Sequence, residues 1–145
     1  MSQENVEIVR SMLEPFNGVN VAELDWDAEA MREVVERFHA PDVELRTLPS
    51  GAGSGPSELY RGWDGLIRYG QEWLEPFSEY RLEALDYVDA GDWVLVPSRQ
   101  WGVGAASGAG AEIEITTAYE LRDCKITRIV QHDSLEDARE AAGGG

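Results

Sequence analysis

Cysteine is almost missing from this chain. Cys124 stands alone, which excludes an internal disulfide and any cysteine-rich metal centre. Lysine is equally scarce, Lys125 being the one lysine among the 12 basic residues. Basic charge as a whole is short: 12 residues against 28 acids, a net charge of −16. Such a surface repels phosphate backbones and anionic lipids, so neither a nucleic acid nor a membrane is expected as partner. No apolar run approaches the roughly 20 residues of a spanning helix. Met1-Ser2-Gln3-Glu4-Asn5 is polar and acidic, not a basic leader before an apolar stretch, and a cytoplasmic location is expected. The two histidines, His39 and His132, lack metal-ligand spacing, so no metal is expected. The glycines of 50–56 and 102–110 precede no helix that they would turn into a phosphate cradle, so no nucleotide cofactor is expected.

What the chain does contain is the balance of a globular protein. Its 145 residues, 43% hydrophobic and 28% charged, suffice for a core without staples. One domain over 1–145 is expected, with 143–145 frayed. Helices come first. Val6, Val9, Leu13 and Phe16 share one helical stripe, with Ser2 as cap, Glu4 and Glu7 in the first turn and Asn17-Gly18 as stop. Met31, Val34, Val35 and Phe38 repeat at i, i+3, i+4, i+7. They predict a second helix that starts after Asp25 or Asp27 and stops before Pro41. A short strand follows over 42–48, then a loop over 49–56. A third helix runs from near Trp63 to Pro76, its apolar face being Trp63, Leu66, Ile67, Gly70, Trp73 and Leu74.

From residue 79 the period changes to two. Strands are predicted over 79–89, 92–103, 111–122 and 125–133, with turns at 90–92, 102–110 and 122–125. Consecutive strands with short turns pair as an antiparallel meander. Asp123 and Cys124 alone separate the last two strands, which predicts a two-residue turn with positive φ. Ser134, with an acid three residues on, predicts a capped helix in the tail. Helices grouped first and strands last make an α+β fold. Val94-Leu95-Val96 is apolar on both faces, and Ile126 and Val130 face away from Ile129. One face meets the helices. The other needs a second cover, and a second subunit would supply it, so a homodimer is expected.

Several short pieces, in this order and spacing, resemble the SnoaL-like polyketide cyclase branch of the nuclear-transport-factor-2-like superfamily. They are Ser2-Gln3-Glu4-Asn5, Pro41-Asp42-Val43-Glu44, Tyr60-Arg61-Gly62, Ala90-Gly91-Asp92, Ser107-Gly108 and Arg122-Asp123-Cys124-Lys125-Ile126. The resemblance covers nearly the whole chain. It implies a cone: a curved, mainly antiparallel sheet wrapped by three helices (the cystatin-like arrangement), with a pocket in its mouth and dimerisation through the sheet. It also implies a choice of chemistries, which the site residues decide. Isomerase-like members place an Asp base on the first strand or just after it, where this chain has Arg46 or Thr47, with Glu44 close by. Epoxide-hydrolase-like members pair an Arg and an Asp two apart, and add an Asp on the last strand. Here those positions hold Ser98, Gln100 and Gln131, while a small register shift brings in Arg99 and Asp133. Cyclase-like members use a last-strand carboxylate, in the region of Gln131-His132-Asp133-Ser134.

Asp133 is therefore the candidate acid/base, or else a stabiliser of the tail helix. Arg99 shares a strand face with Trp101 and would stabilise negative charge on oxygen, or else pair with a cross-strand Glu. Gln131 would position the ligand by hydrogen bonds and Tyr119 would orient it. Trp63 and Trp101 would line an aromatic wall, with Tyr69, Trp73, Phe77 and Tyr87 nearby, although such stripes also serve as plain core. His132 and Asp133 are adjacent on a strand, point to opposite faces and form no dyad. His132 is a pocket group or a partner-facing one. His39, at a helix end, suits the dipole there and receives no function. The expected function is binding of a small, largely apolar molecule in the cone and, if the protein is an enzyme, cofactor-free acid–base chemistry of the cyclase, isomerase or dehydratase type. The alternative is a non-catalytic dimeric protein that binds a ligand or docks.

Overall fold

The computed structural model describes residues 2–47 and 58–144. The loop expected over 49–56 lies outside the described residues, as do the last residue of the expected frayed tail and the Ser2 side chain proposed as a cap. Helix α1 covers Ser2–Leu13. It stops earlier than its apolar stripe because Pro15 follows. A proline cannot donate to the helix ladder and crowds the preceding turn, so the chain tightens into a 3-10 turn over Glu14–Phe16. Helix α2 covers Glu29–Phe38 and has Ala28 at its N-cap with no side-chain bond. Asp25 does not cap it; its carboxylate accepts the Asp27 N–H at 3.0 Å in a local turn.

Strand β1, His39–Arg46, begins directly at the end of α2 and runs through Pro41. Its parallel pairing with β7, Lys125–His132, is irregular between His39 and Glu44, where Pro41 has no N–H to give. A three-residue strand β2, Leu59–Arg61, pairs antiparallel with β1 and leads into helix α3, Gly62–Leu74. The single strand expected over 79–89 is two, β3 at Phe77–Ala84 and β4 at Val88–Ala90. Both pair with β5, Trp93–Gly104. The break has a cause in Pro97. Its carbonyl accepts from Leu85 N–H at 2.8 Å, but it returns no donor, and the ladder stops there. Strand β6, Gly110–Arg122, completes an antiparallel run β5-β6-β7, whose β6-β7 register shifts between Glu120 and Leu121. The sheet order is β2-β1-β7-β6-β5-β3, with β4 beside β3 on β5. Helix α4, Leu135–Arg139, starts at Ser134, whose Oγ accepts the Asp137 N–H at 3.1 Å. Among the described residues no helix is long and apolar enough to cross a membrane.

The main core lies between the inner face of the sheet and the first three helices. Val94, Val96, Leu121 and Ile126 meet Val6 and Val9 there. The outer face has its own small core, in which Leu95 and Ala118 are covered by Ala138 of α4. The chain thus supplies part of the second cover that its two-faced strands demand. On the same outer face Pro97, Trp101 and Val103 stay half-buried.

Candidate functional site

The inner face of the sheet and the three long helices enclose a cavity of about 250 Å³. Strand parity places its polar groups. Residues 96, 98 and 100 of β5, and 117 and 119 of β6, share the inner face. From β7, Ile129 and Gln131 reach it, and from β1, Leu45. Helix α3 contributes Tyr69, Gly70 and Trp73, and the segment before α2 contributes Trp26.

Two hydrogen-bonded sets organise the polar lining. In the first, the Tyr80 hydroxyl donates to Gln100 Oε1 at 2.7 Å, and Gln100 Nε2 donates to Ser98 Oγ at 3.1 Å. Ser98 Oγ then donates to the Ile115 carbonyl at 3.0 Å. The terminal carbonyl can only accept, so the direction of the whole chain is fixed. In the second, Gln131 Nε2 donates to the Tyr69 hydroxyl at 2.6 Å. The Tyr119 hydroxyl has no hydrogen-bond partner among the described residues and opens on the cavity. Burial holds the Tyr119 phenol far above its ordinary pKa, and pushes that of Tyr69 up to about 12 against the opposing pull of the Gln131 bond. Both are neutral donors at any ordinary pH.

His39 also lines this space and is buried. Its Nδ1 lies 2.9 Å from the Val35 carbonyl, so Nδ1 carries the proton and Nε2 is left as the acceptor. Burial lowers its pKa to about 4, with Lys125 adding in the same direction and the Val35 bond opposing. The imidazole is therefore neutral near pH 7. Among the described residues, no Asp, Glu, Lys or Arg side chain lines the cavity.

Of the residues singled out in the sequence, Gln131, Tyr119 and Gln100 line the cavity, and Ser98, buried, is bonded to Gln100. The others lie elsewhere. Asp133 is exposed in the bend that follows β7; it has the parity of Gln131, but the strand ends at His132. Arg99 and Trp101 share a face as expected, and that face is the outer one. There Arg99 pairs with Glu83 at 2.9 Å and lies over the Trp101 ring at 5.6 Å. Asp133 and Arg99 are thus not brought together at the cavity. Trp63 packs against the main core, and its Nε1–H donates to the His39 carbonyl at 2.9 Å. His132 is half-buried and pairs with Thr116 across the strands, its pKa lowered by burial against the pull of Asp137 and Asp133. Glu44 lies near Arg61 at 3.8 Å, Arg46 is exposed, and Thr47 Oγ1 accepts the Glu58 N–H at 2.9 Å.

The sequence reading gave His39 no function and passed over Tyr80, Thr117 and Trp26. Parity was the available signal for the first three. His39 opens a strand whose later odd-numbered residues, Val43 and Leu45, point inward, and Thr117 is two residues from Tyr119. Trp26 sits in a segment with no period and gave no signal.

The SnoaL-like domain model matches residues 9–129. The chain belongs to this family. No curated protein matches it by sequence. Solved structures match its fold. One is a protein of Jannaschia sp. CCS1 that carries the provisional name SnoaL-like polyketide cyclase, 18% identical, with 99% of this chain and 94% of that one covered at a TM-score of 0.68. Another is an NTF2-like protein of unknown function from Burkholderia pseudomallei K96243, 17% identical, with 94% and 95% covered and a TM-score of 0.67. A third is TerC co-crystallised with polyporic acid, 18% identical, with 97% and 98% covered and a TM-score of 0.67. At such identities the likeness is one of fold.

Proposed function

We propose that the protein binds a small, neutral, largely apolar molecule inside the cone. One observation carries this reading: a cavity walled by apolar and aromatic side chains, in which every polar side chain among the described residues is a neutral amide, hydroxyl, phenol or imidazole. A charged ligand would lose its hydration and meet no partner of opposite sign, which is costly. A neutral ligand with one or two polar atoms meets the Tyr119 hydroxyl and the fixed amides at little cost. The solved structure of TerC with polyporic acid supports a small molecule as the occupant. The test is equilibrium binding of 2-naphthol and of 2-naphthoate at pH 7. The naphthol is expected to bind and the carboxylate to bind about tenfold more weakly or worse. Equal or tighter binding of the carboxylate would overturn the reading.

A second reading, cofactor-free acid–base turnover of the cyclase, isomerase or dehydratase type, is favoured by His39. It is the one lining base whose tautomer leaves a free acceptor nitrogen. Its low pKa makes it a weak base, which is why binding stands ahead of turnover. We also take the protein to be a cytoplasmic homodimer, joined through the half-buried Pro97, Trp101 and Val103 of the outer face. Sizing with light scattering checks the oligomer, and a monomer at micromolar concentration would remove it.

A further inference from the structure

We infer that Trp26, seated on Gly70, sets the size of ligand that the cone admits; this rests on the binding reading above. Gly70 lies in the middle of α3, where glycine costs about 1 kcal/mol relative to alanine. Its backbone needs no left-handed conformation, so its reason is space. A Cβ at position 70 would stand 2.6 and 2.7 Å from Cε3 and Cη2 of the Trp26 indole, and closer still to Cζ3. Those atoms are rigid ring carbons. The indole therefore lies against the bare backbone of α3, in a seat that any other residue at 70 would fill.

Trp26 is half-buried and lines the cavity. Its indole thus packs against α3 and borders the ligand space. The segment that carries it is lightly tied: Trp26 Nε1–H donates to the Val21 carbonyl at 3.3 Å, and Gln71 Nε2 donates to Asp27 Oδ1 at 2.8 Å on the surface. With the indole in place the cavity is about 250 Å³, just under the roughly 300–1,000 Å³ common for ligand sites. At that size one bulky side chain decides which ring systems fit. The sheet-borne walls Tyr119, Gln131 and Gln100 are held by strand pairing and do not give way, whereas Trp26 stands on a non-repetitive segment.

The experiment compares wild type, Trp26→Phe and Trp26→Ala with two neutral probes, 2-naphthol and the bulkier N-phenyl-1-naphthylamine. The readout is the ratio of the two dissociation constants. Trp26→Ala is expected to shift that ratio about tenfold toward the larger probe, and Trp26→Phe by a smaller factor in the same direction. Trp26→Phe keeps most of the packing, so the comparison survives if the alanine variant folds poorly. Binding of both probes with an unchanged ratio would overturn this inference and leave the binding reading standing. Binding of neither probe to any of the three proteins would overturn the binding reading, and this inference with it.

Discussion

Asp123 and Cys124 have φ of 52° and 66°, the left-handed conformation that a tight two-residue hairpin needs to follow strand twist. Asp tolerates it. For Cys the Cβ carries a cost of about 1–2 kcal/mol. The thiol offsets little of that, since its contact with Glu4 Oε1 at 3.3 Å is on the surface. Cys124→Gly is expected to raise stability by up to about 1 kcal/mol, the gain being trimmed by glycine's freedom when unfolded. Thermal melts under reducing conditions check it, and a lower midpoint for the variant would contradict it. His39 gives a second test at this scale. Its folded pKa, about 4, lies below the ordinary value of 6.5. The imidazole therefore opposes unfolding fully above pH 6.5, and that contribution drains away as pH falls toward 4. Between pH 7 and pH 5 the loss is about 2 kcal/mol by linkage. His39→Asn, which keeps a donor for the Val35 carbonyl, should show a flatter stability profile over that interval. Parallel slopes for wild type and variant, measured by urea titration at the two pH values, would refute it. These residues also show what a sequence yields at this scale. Positive φ at 123–124 followed from loop length alone, whereas Gln131 came from the resemblance and Tyr119 from its hydroxyl, because parity alone does not say which face of a two-faced apolar strand is the inner one. The exposure of Asp133 was not legible, because parity says nothing about where a strand stops.

At the scale of elements, the segment Asn17-Gly18-Val19-Asn20 does more than end a helix. Strand β3 is an edge, and its outward N–H and C=O groups would be left open to another chain. Asn17 Oδ1 accepts the Ala84 N–H at 3.1 Å, Gly18 N–H donates to the Leu82 carbonyl at 2.9 Å, and Asn20 Oδ1 accepts the Tyr80 N–H at 2.9 Å. Side-chain amides here stand in for a neighbouring strand. Asn20 Oδ1 also accepts the Ala22 N–H at 3.2 Å, capping the 3-10 turn over Val21–Glu23. Removing one acceptor that serves two donors should cost about 1–3 kcal/mol. Asn20→Ala is expected to fall in that range, and Asn20→Asp, which keeps the acceptor, to recover most of the loss. Chemical denaturation of the three proteins decides it; a fully stable alanine variant would show that water satisfies the edge. The helices and the β5-β6-β7 meander were legible because each carries its own period over ten or so residues. The short β2, the split between β3 and β4, and this edge cover were not. Each depends on what a distant segment does: β1 for the first, Pro97 for the second and β3 itself for the third.

At the scale of the molecule, the chain has a net charge of −16, yet among the described residues no charged side chain lines the cavity. The two-faced apolar strands are resolved economically, with the tail folded back over the sheet. Leu95 is fully buried and Ala118 nearly so, under a helix of five residues whose Ala138 is itself fully buried. A helix that short has little stability of its own; it exists because Ser134 caps it and because the sheet beneath it is apolar. The dependence should run both ways. Ending the chain after Asp133 would uncover Leu95, Ala118 and the edge of Trp93 together, and re-exposing one leucine-sized side chain costs about 1.5–3 kcal/mol. The shortened protein is expected to melt lower by an amount of that order. It is also expected to associate more than the full chain, since the bare patch is large enough to seek a second copy. Sizing with light scattering and thermal melts, run on both proteins at matched concentrations, give the two readouts independently. An unchanged midpoint together with an unchanged mass would mean that α4 merely rests on the sheet, and that the apolar outer residues need no cover from this chain.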